Sequence, residues 1–427
     1  MSPVLLFFVI LLFGLPISVT MGITSILPWV VDNSFAANLV MALRQMMSGV
    51  NSLTLLAIPM FMLSGTIMAR GGISRKLFDV FTYFVGNIRG GVPCAVIITC
   101  LFYGAISGSS PATVAAVGSM TIPVMLNLGY SLEFSAAVVT VAGGLGCIIP
   151  PSIPFVLYST SAGTSVGDMF IAGIVPGFLL GGLLMIYAVY FCITKGEDRE
   201  RIHTVVAELR QQGFLHLFLD SFWALLTPVI ILGSIYGGIA TPTEAAVVSV
   251  YYSLFVSVFI YKTIKPSEIL SVCMESLKTI APILFVLSAA VSFGRVLALM
   301  NVPQLVSTWI TSTFSEKWEI LLVVNIFLIF VGMVMDAAPA ILILTPILAP
   351  VMTAIDVDLI HFGIMMVVNL AVGFVTPPVG INLFVASSMT KLPVIKLAKV
   401  SAPFTVLFAI GLILIIVFEN ISLCLIR

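Results

Sequence analysis

The sequence predicts an all-α polytopic membrane protein built from two inverted repeats, each holding a re-entrant helical hairpin and a proline-broken helix. Three observations lead there. First, 60% of the 427 residues are hydrophobic and 8% are charged, with a mean hydropathy of +1.22. A soluble domain carries about 25% charged residues. Second, two apolar runs are cut in the same way, by a glycine and then by adjacent prolines, at Gly146…Pro150-Pro151 and Gly373…Pro377-Pro378. Third, Lys and Arg gather in a few connections, in a pattern that gives the two halves opposite orientation.

The breaks are the strongest of the three. Proline lacks a backbone donor and clashes with the preceding turn, so no helix passes either pair intact. Within a bilayer, broken backbone survives only where protein, water or a bound ion satisfies it. Gly146 and Gly373 are 227 residues apart, as are Pro150 and Pro377. Upstream, the run from Gly104 to Ala112 matches the run from Gly332 to Ala340 at an offset of 228. Further back, the segment from Ile58 loosely parallels that from Ala281. Duplicated, broken apolar segments are the mark of secondary transporters.

Taken in order, residues 1–31 hold no Lys or Arg and form an apolar run long enough to span. They read as the first spanning helix and not a removed presequence. That block ends near Asp32, and an amphipathic piece through Arg44 precedes a span at about 53–69. A basic connection runs from Arg70 to Gly91. Residues 93–126 are too broken at Ser107–Pro111 for one helix and read as the first hairpin; the broken helix of this half covers 131–163. A span at about 169–193 closes the first repeat, 1–194. Residues 195–221 are the one extended polar stretch, expected to be a cytoplasmic linker. The second repeat, 222–427, opens with spans at about 222–239 and 245–261 and a helix through 281–298. An amphipathic connection follows, then a hairpin over 320–354, a broken helix over 361–390 and a final helix.

Basic clusters at 70–89, 195–210, 262–278 and 391–399 all fall on the cytoplasmic side if the N-terminus is cytoplasmic. The first hairpin then enters from the cytoplasm and the second from outside. The opposite entry of the two hairpins agrees with the duplication, which rests on the matched breaks and not on charge.

No catalytic arrangement stands out. His203, His216 and His361 lack metal-ligand spacing, and the six cysteines are scattered through apolar surroundings. No Gly-rich loop ends in Gly-Lys-Ser/Thr, so nucleotide is not expected as a cofactor. Zero net charge gives no reason to expect a nucleic-acid partner. The chain reads as a non-enzyme energised by an ion gradient.

The hairpin tips and proline breaks are the candidate sites. Helix N-termini suit a carboxylate, while half-helix C-termini and unwound carbonyls suit Na⁺. One oxygen-rich pocket is expected per repeat. The first Na⁺ site is assigned to Ser109, Ser110, Gly146, Ile149 and Ser152. The second is assigned to Gly332, Asp336, Thr376, Gly380 and Asn382. Candidate substrate contacts are Ser109, Ser110, Ser152, Thr376 and Arg295. The competing role for the Gly and Ser residues is close helix packing. Arg295 interrupts an apolar helix, where it holds a substrate carboxylate or else snorkels or pairs with an acid. Glu244, after Pro242, is either a membrane charge with a function or a helix-start acid.

At these residues the chain resembles the large membrane (M, or DctM-like) subunit of tripartite ATP-independent periplasmic (TRAP) transporters. The resemblance rests on Ser107–Thr113, Ile149–Pro154, Phe170–Gly177, Thr241–Ala245, Gly332–Asp336 and Thr376–Gly380, which are spread over nearly the whole length. It implies an elevator-type transporter in a bacterial inner membrane, in which a mobile domain carries both hairpins against a scaffold. It also implies Na⁺-coupled uptake of an organic acid anion, of the sialic acid or C4-dicarboxylate class. The implied partners are a soluble periplasmic substrate-binding protein (P type), a small four-helix membrane subunit (Q type), expected as a separate polypeptide, and membrane lipid.

The alternative is a binding-protein-independent Na⁺/dicarboxylate symporter of related architecture. Such relatives tend to carry Ser-Asn-Thr at the hairpin tips, whereas here the tips read Ser-Gly-Ser-Ser-Pro and Asp-Ala-Ala-Pro. A channel or purely structural subunit is the third class, and it predicts no saturable uptake. A sugar acid is slightly favoured over a C4-dicarboxylate, without a deciding residue.

Overall fold

The computed structural model describes residues 3–31, 38–211, 213–314 and 316–426. Among these residues all regular structure is helical. Seven helices among the described residues are long and apolar enough to cross a membrane, or eight if one bent pair counts as a span.

The first apolar block departs from expectation. In place of one spanning helix, it folds as α1 (Pro3–Leu12) and α2 (Ile17–Val31). Gly14 takes a left-handed φ of 81°, and Pro16 has no N–H to continue the ladder. The expected end of the block near Asp32 lies outside the described residues. Next, α3 (Leu39–Val50), capped by the Asn38 side chain, and α4 (Ala57–Arg70) form the bent pair, turning through 61°. Gly72, at φ 71°, turns the chain into α5 (Ile73–Val85).

The first hairpin is α6 (Gly91–Ser107) and α7 (Ser110–Asn127). Gly108 is left-handed (φ 61°) and Ser109 extended, and the chain reverses there. Helix α8 (Leu132–Ala142), capped by Ser131, tightens into a 3₁₀ turn over Gly143–Cys147. After Pro150-Pro151 it resumes as α9 (Ile153–Ala162). The 30-residue α10 (Val166–Lys195) follows.

The polar stretch after α10 is a packed element and not a free connector. Helix α11 (Arg199–Gln211) buries Ile202 and Val206, which lie four apart on one face. It lies against α5, and Arg199 and Arg210 donate to the carbonyls of Asn87 and Tyr83. Helix α12 (Phe214–Tyr236) starts inside the stretch read as linker. Helix α13 (Pro242–Phe255) opens on a capping box: Glu244 accepts from the Thr241 N–H at 2.8 Å, and its own N–H donates to Thr241 Oγ1 at 3.3 Å. Glu244 is thus a helix-start acid.

The second half continues with α14 (Ile269–Leu299) and α15 (Val302–Thr313). Its hairpin is α16 (Lys317–Val334) and α17 (Ala337–Ala354), and its broken helix is α18 (Leu359–Phe374) and α19 (Ile381–Thr390). Helices α20 (Val394–Val417) and α21 (Asn420–Leu423) end the chain.

Two glycine pairs hold hairpin to break. A Cβ on Gly104 would stand 2.6 Å from Gly146 Cα, and one on Gly373 would stand 2.4 Å from the Gly332 carbonyl carbon. The duplicated residues therefore make the same backbone-to-backbone approach in each half, which only glycine permits. The halves then interlock. Helix α7 packs on α19 and α17 packs on α9, so the second helix of each hairpin lies against the resumed helix of the other half. Around this body, α4 packs with α13, and α2 and α3 pack with α14. Two of these outer helices reach the hairpins, α4 touching α6 and α14 touching α17.

Candidate functional site

A cavity of about 910 Å³ lies between the hairpins and the outer helices α4 and α14. Its wall includes the whole first tip, Ser107 to Ala112, and Asp336 to Ala338 of the second. Ile153 and Pro154 of α9 and Ile381 of α19 complete that side. The N-terminal ends of four helices, α7, α9, α17 and α19, therefore converge on one space. Each such end carries partial positive charge, although in α9 the first N–H groups are already taken, Ile153 donating to the Gly108 carbonyl and Phe155 to Ser152 Oγ. In α7 and α19 no side chain caps the end.

The two uncapped ends face each other through side chains. Ser110 Oγ donates to Asn382 Oδ1 at 3.1 Å, Asn382 Nδ2 lies 2.8 Å from Ser110 Oγ, and the same amide donates to the Thr140 carbonyl at 3.1 Å. The sequence places Asn382 beside the second break, and the structure ties it to Ser110 of the first tip. Ser109 and Ser110 of the first tip and Asp336 of the second line the same cavity.

The other assigned residues are placed as follows. Gly146 lies against the first tip, where an added Cβ would stand 2.3 Å from Thr113 Oγ1 and 3.0 Å from the Ser109 carbonyl oxygen. Thr113 Oγ1 donates to that same carbonyl at 2.8 Å. Ser152 is buried and already used: it donates to the Cys147 carbonyl at 2.5 Å and accepts from the Phe155 N–H. The Ile149 side chain packs into the notch at Gly177, leaving only its backbone for a ligand. Gly332 is occupied in the glycine pair already described. Gly380 takes φ 60° and donates its N–H to the Met333 carbonyl at 3.1 Å, close to the Thr376 and Phe374 carbonyls. Thr376 Oγ1 bonds back to the Val372 carbonyl. Asp336 caps α17, accepting from the Ala337 N–H at 2.8 Å.

Arg295 does not join this group. Its side chain is exposed on α14, outside the cavity wall. The sequence reading instead missed the contribution of the outer helices: Thr66 on α4, and Glu275, Lys278 and Thr279 on α14. Glu275 pairs with Arg70 at the end of α4. A signal was available, since Glu275 and Lys278 are charges just before Pro282 in the segment that parallels Ile58 onward.

Comparison with known proteins agrees in extent with this architecture. The profile of the family described as "Tripartite ATP-independent periplasmic transporter, DctM component" matches residues 4–421. The chain is 43% identical to a C4-dicarboxylate TRAP transporter large permease protein of Pseudomonas aeruginosa, over 87% of this chain and 86% of that one. It is 41% identical to an isethionate TRAP transporter permease protein of Oleidesulfovibrio alaskensis, over 93% of this chain but only 61% of that longer protein. A sialic acid TRAP transporter large permease of Vibrio cholerae is 32% identical over 96% of this chain and 95% of its own. Among solved structures, the fold is similar to the YdaH transporter of Alcanivorax borkumensis, with a TM-score of 0.66 at 14% identity, covering 100% of both chains. It is also similar to the antimetabolite efflux pump MtrF of Neisseria gonorrhoeae, with a TM-score of 0.64 at 12% identity over 91% of this chain and 84% of that one.

Proposed function

This chain belongs to the DctM component family of tripartite ATP-independent periplasmic transporters, and from that premise we propose that it takes up an organic acid anion by coupling its movement to Na⁺. It is a transporter permease and not an enzyme, a multi-pass protein of a bacterial inner membrane. The observation that carries the proposal is the convergence of four helix N-termini on one cavity, two of them without a capping side chain. Ends of like partial charge repel, and a carboxylate between them relieves that repulsion while accepting from N–H groups at the uncapped ends of α7 and α19.

In this reading Ser109 and Ser110 meet the substrate at the first tip, with the α17 end opposite. Na⁺ is held where backbone oxygens crowd. On one side are the Ser109 carbonyl, Thr113 Oγ1 and Gly146; on the other are the Thr376 and Phe374 carbonyls around Gly380. Asp336 supplies negative charge beside the cavity. Ser152 and Ile149 support the first break and do not act through their side chains. The interlocked hairpins and breaks form the moving body, and α2, α3, α4, α13 and α14 form the fixed frame, in an elevator motion of inverted halves. Moving two Na⁺ with a monoanion carries charge inward, worth ~2.3 kcal/mol per charge per 100 mV of membrane potential. A periplasmic binding protein delivers the substrate, and a small membrane subunit completes the frame.

The relatives' substrates set the test panel: succinate, N-acetylneuraminate and isethionate. The complete transporter in proteoliposomes, with its binding protein outside, is expected to accumulate one of them only under an inward Na⁺ gradient. Undiminished uptake in Na⁺-free buffer removes the coupling. Equal uptake without the binding protein favours the unaided symporter.

A further inference from the structure

We propose that Lys278 is the fixed cationic contact for the anionic group of the substrate, on the outer-helix wall of the cavity. This rests on the transport reading above and adds a residue to its site.

Three acidic or basic side chains line the cavity among the described residues: Glu275, Lys278 and Asp336. Two are already engaged. Glu275 is bridged to Arg70, which ties α14 to α4, and Asp336 caps α17. Lys278 lies three residues beyond Glu275, on a stretch of α14 that lines the cavity through Thr279, Pro282 and Ile283. Its side chain is exposed and makes no ion pair among the described residues. An ammonium without an ion-pair partner on this wall is available to an anion entering the cavity, and their attraction grows as the anion displaces water and the local dielectric falls. The four-carbon stem lets it follow an anion over several ångströms.

The division of labour is physical. Helix ends on the hairpins and breaks offer partial charges that travel with the moving body, whereas α14 belongs to the frame. A full charge on the frame meets the substrate only while the cavity faces Lys278, and it releases the substrate when the body moves away. The contact acts as a stationary post at one end of the path. It recognises a carboxylate or a sulfonate alike, since both present oxygens with a net negative charge. By the distribution of basic residues, that end is cytoplasmic.

The test uses the complete transporter in proteoliposomes and whichever of succinate, N-acetylneuraminate or isethionate the wild type accumulates. Lys278→Gln is expected to raise the half-saturating substrate concentration on the cavity side at least tenfold, measured by counterflow, and Lys278→Arg to hold it within threefold. Lys278→Cys, in a background with Cys273 and Cys424 replaced by Ser, then separates charge from folding in the assembled protein. Reaction with 2-aminoethyl methanethiosulfonate restores an ammonium and is expected to restore counterflow, whereas the sulfonatoethyl reagent lowers it further. Wild-type kinetics in Lys278→Gln, or equal rescue by both reagents, overturns this inference and leaves the transport reading standing. Failure of the wild type to accumulate any of the three anions under a Na⁺ gradient overturns the transport reading, and this inference with it.

Discussion

Ser110 and Asn382, 272 residues apart in the chain, hydrogen-bond to each other in the interior, at 3.1 Å and 2.8 Å. Both are buried, and each lies in the first turn of a helix whose N-terminal end meets the cavity. This is where the first hairpin tip of one half is joined to the resumed helix of the other. Asn382→Ala strands the buried Ser110 hydroxyl and takes a donor from the Thr140 carbonyl, at a cost of about 1–3 kcal/mol for a buried group left unsatisfied. The expected result is a lower melting temperature in detergent and at least tenfold slower uptake. Ser110→Ala, which removes a smaller group, is expected to be the milder variant in both measurements.

The glycine pairs give a sharper contrast. A Cβ at Gly373 or Gly146 meets backbone or a short threonine side chain well inside contact distance, whereas one at Gly182 on α10 meets nothing within 4 Å. Gly373→Ala and Gly146→Ala are each expected to cost about 1–3 kcal/mol or more from overpacking. Gly182→Ala is expected to be neutral. Thermal stability of the three purified variants, compared side by side, checks this.

Asp336 separates a cap from a charge. Asp336→Asn keeps an acceptor for the Ala337 N–H and removes the negative charge. It is expected to leave stability within a few tenths of a kcal/mol, because Asn and Asp cap about equally well. The Na⁺ concentration for half-maximal uptake is expected to rise about tenfold, equivalent to about 1.4 kcal/mol of lost ion affinity. Asp336→Ala loses the cap as well, adding about 0.5–2 kcal/mol of destabilisation. Na⁺ titration of uptake alongside melting curves distinguishes the two effects.

Arg295 is expected to be dispensable for binding. It lies exposed on α14, away from the cavity. Arg295→Ala is expected to leave the half-saturating substrate concentration within about twofold, since surface substitutions away from special features stay within about 0.5 kcal/mol. A tenfold rise would return it to the substrate path.

What the sequence determined by itself is the covalent punctuation of the chain. The hairpin turn within Ser107–Pro111 and the breaks at Pro150-Pro151 and Pro377-Pro378 follow from local rules: proline removes a donor and glycine tolerates positive φ. Composition predicted a membrane as the solvent, and the matched glycine and proline breaks predicted the order of hairpin and broken helix in each half. Tertiary structure decided which of these local features share a space. Ser110 met Asn382 because α7 packs on α19 across the halves, a pairing that no local pattern specifies. The two cations of α14 were equally visible in the sequence, and packing alone chose between them. At 3.6 residues per turn and 1.5 Å rise per residue, the 17 positions from Lys278 to Arg295 set the second about 25 Å along the helix and roughly 100° around it. A long apolar helix carries too little amphipathic signal to say which of those two directions faces the cavity, and only its neighbours fix that rotation.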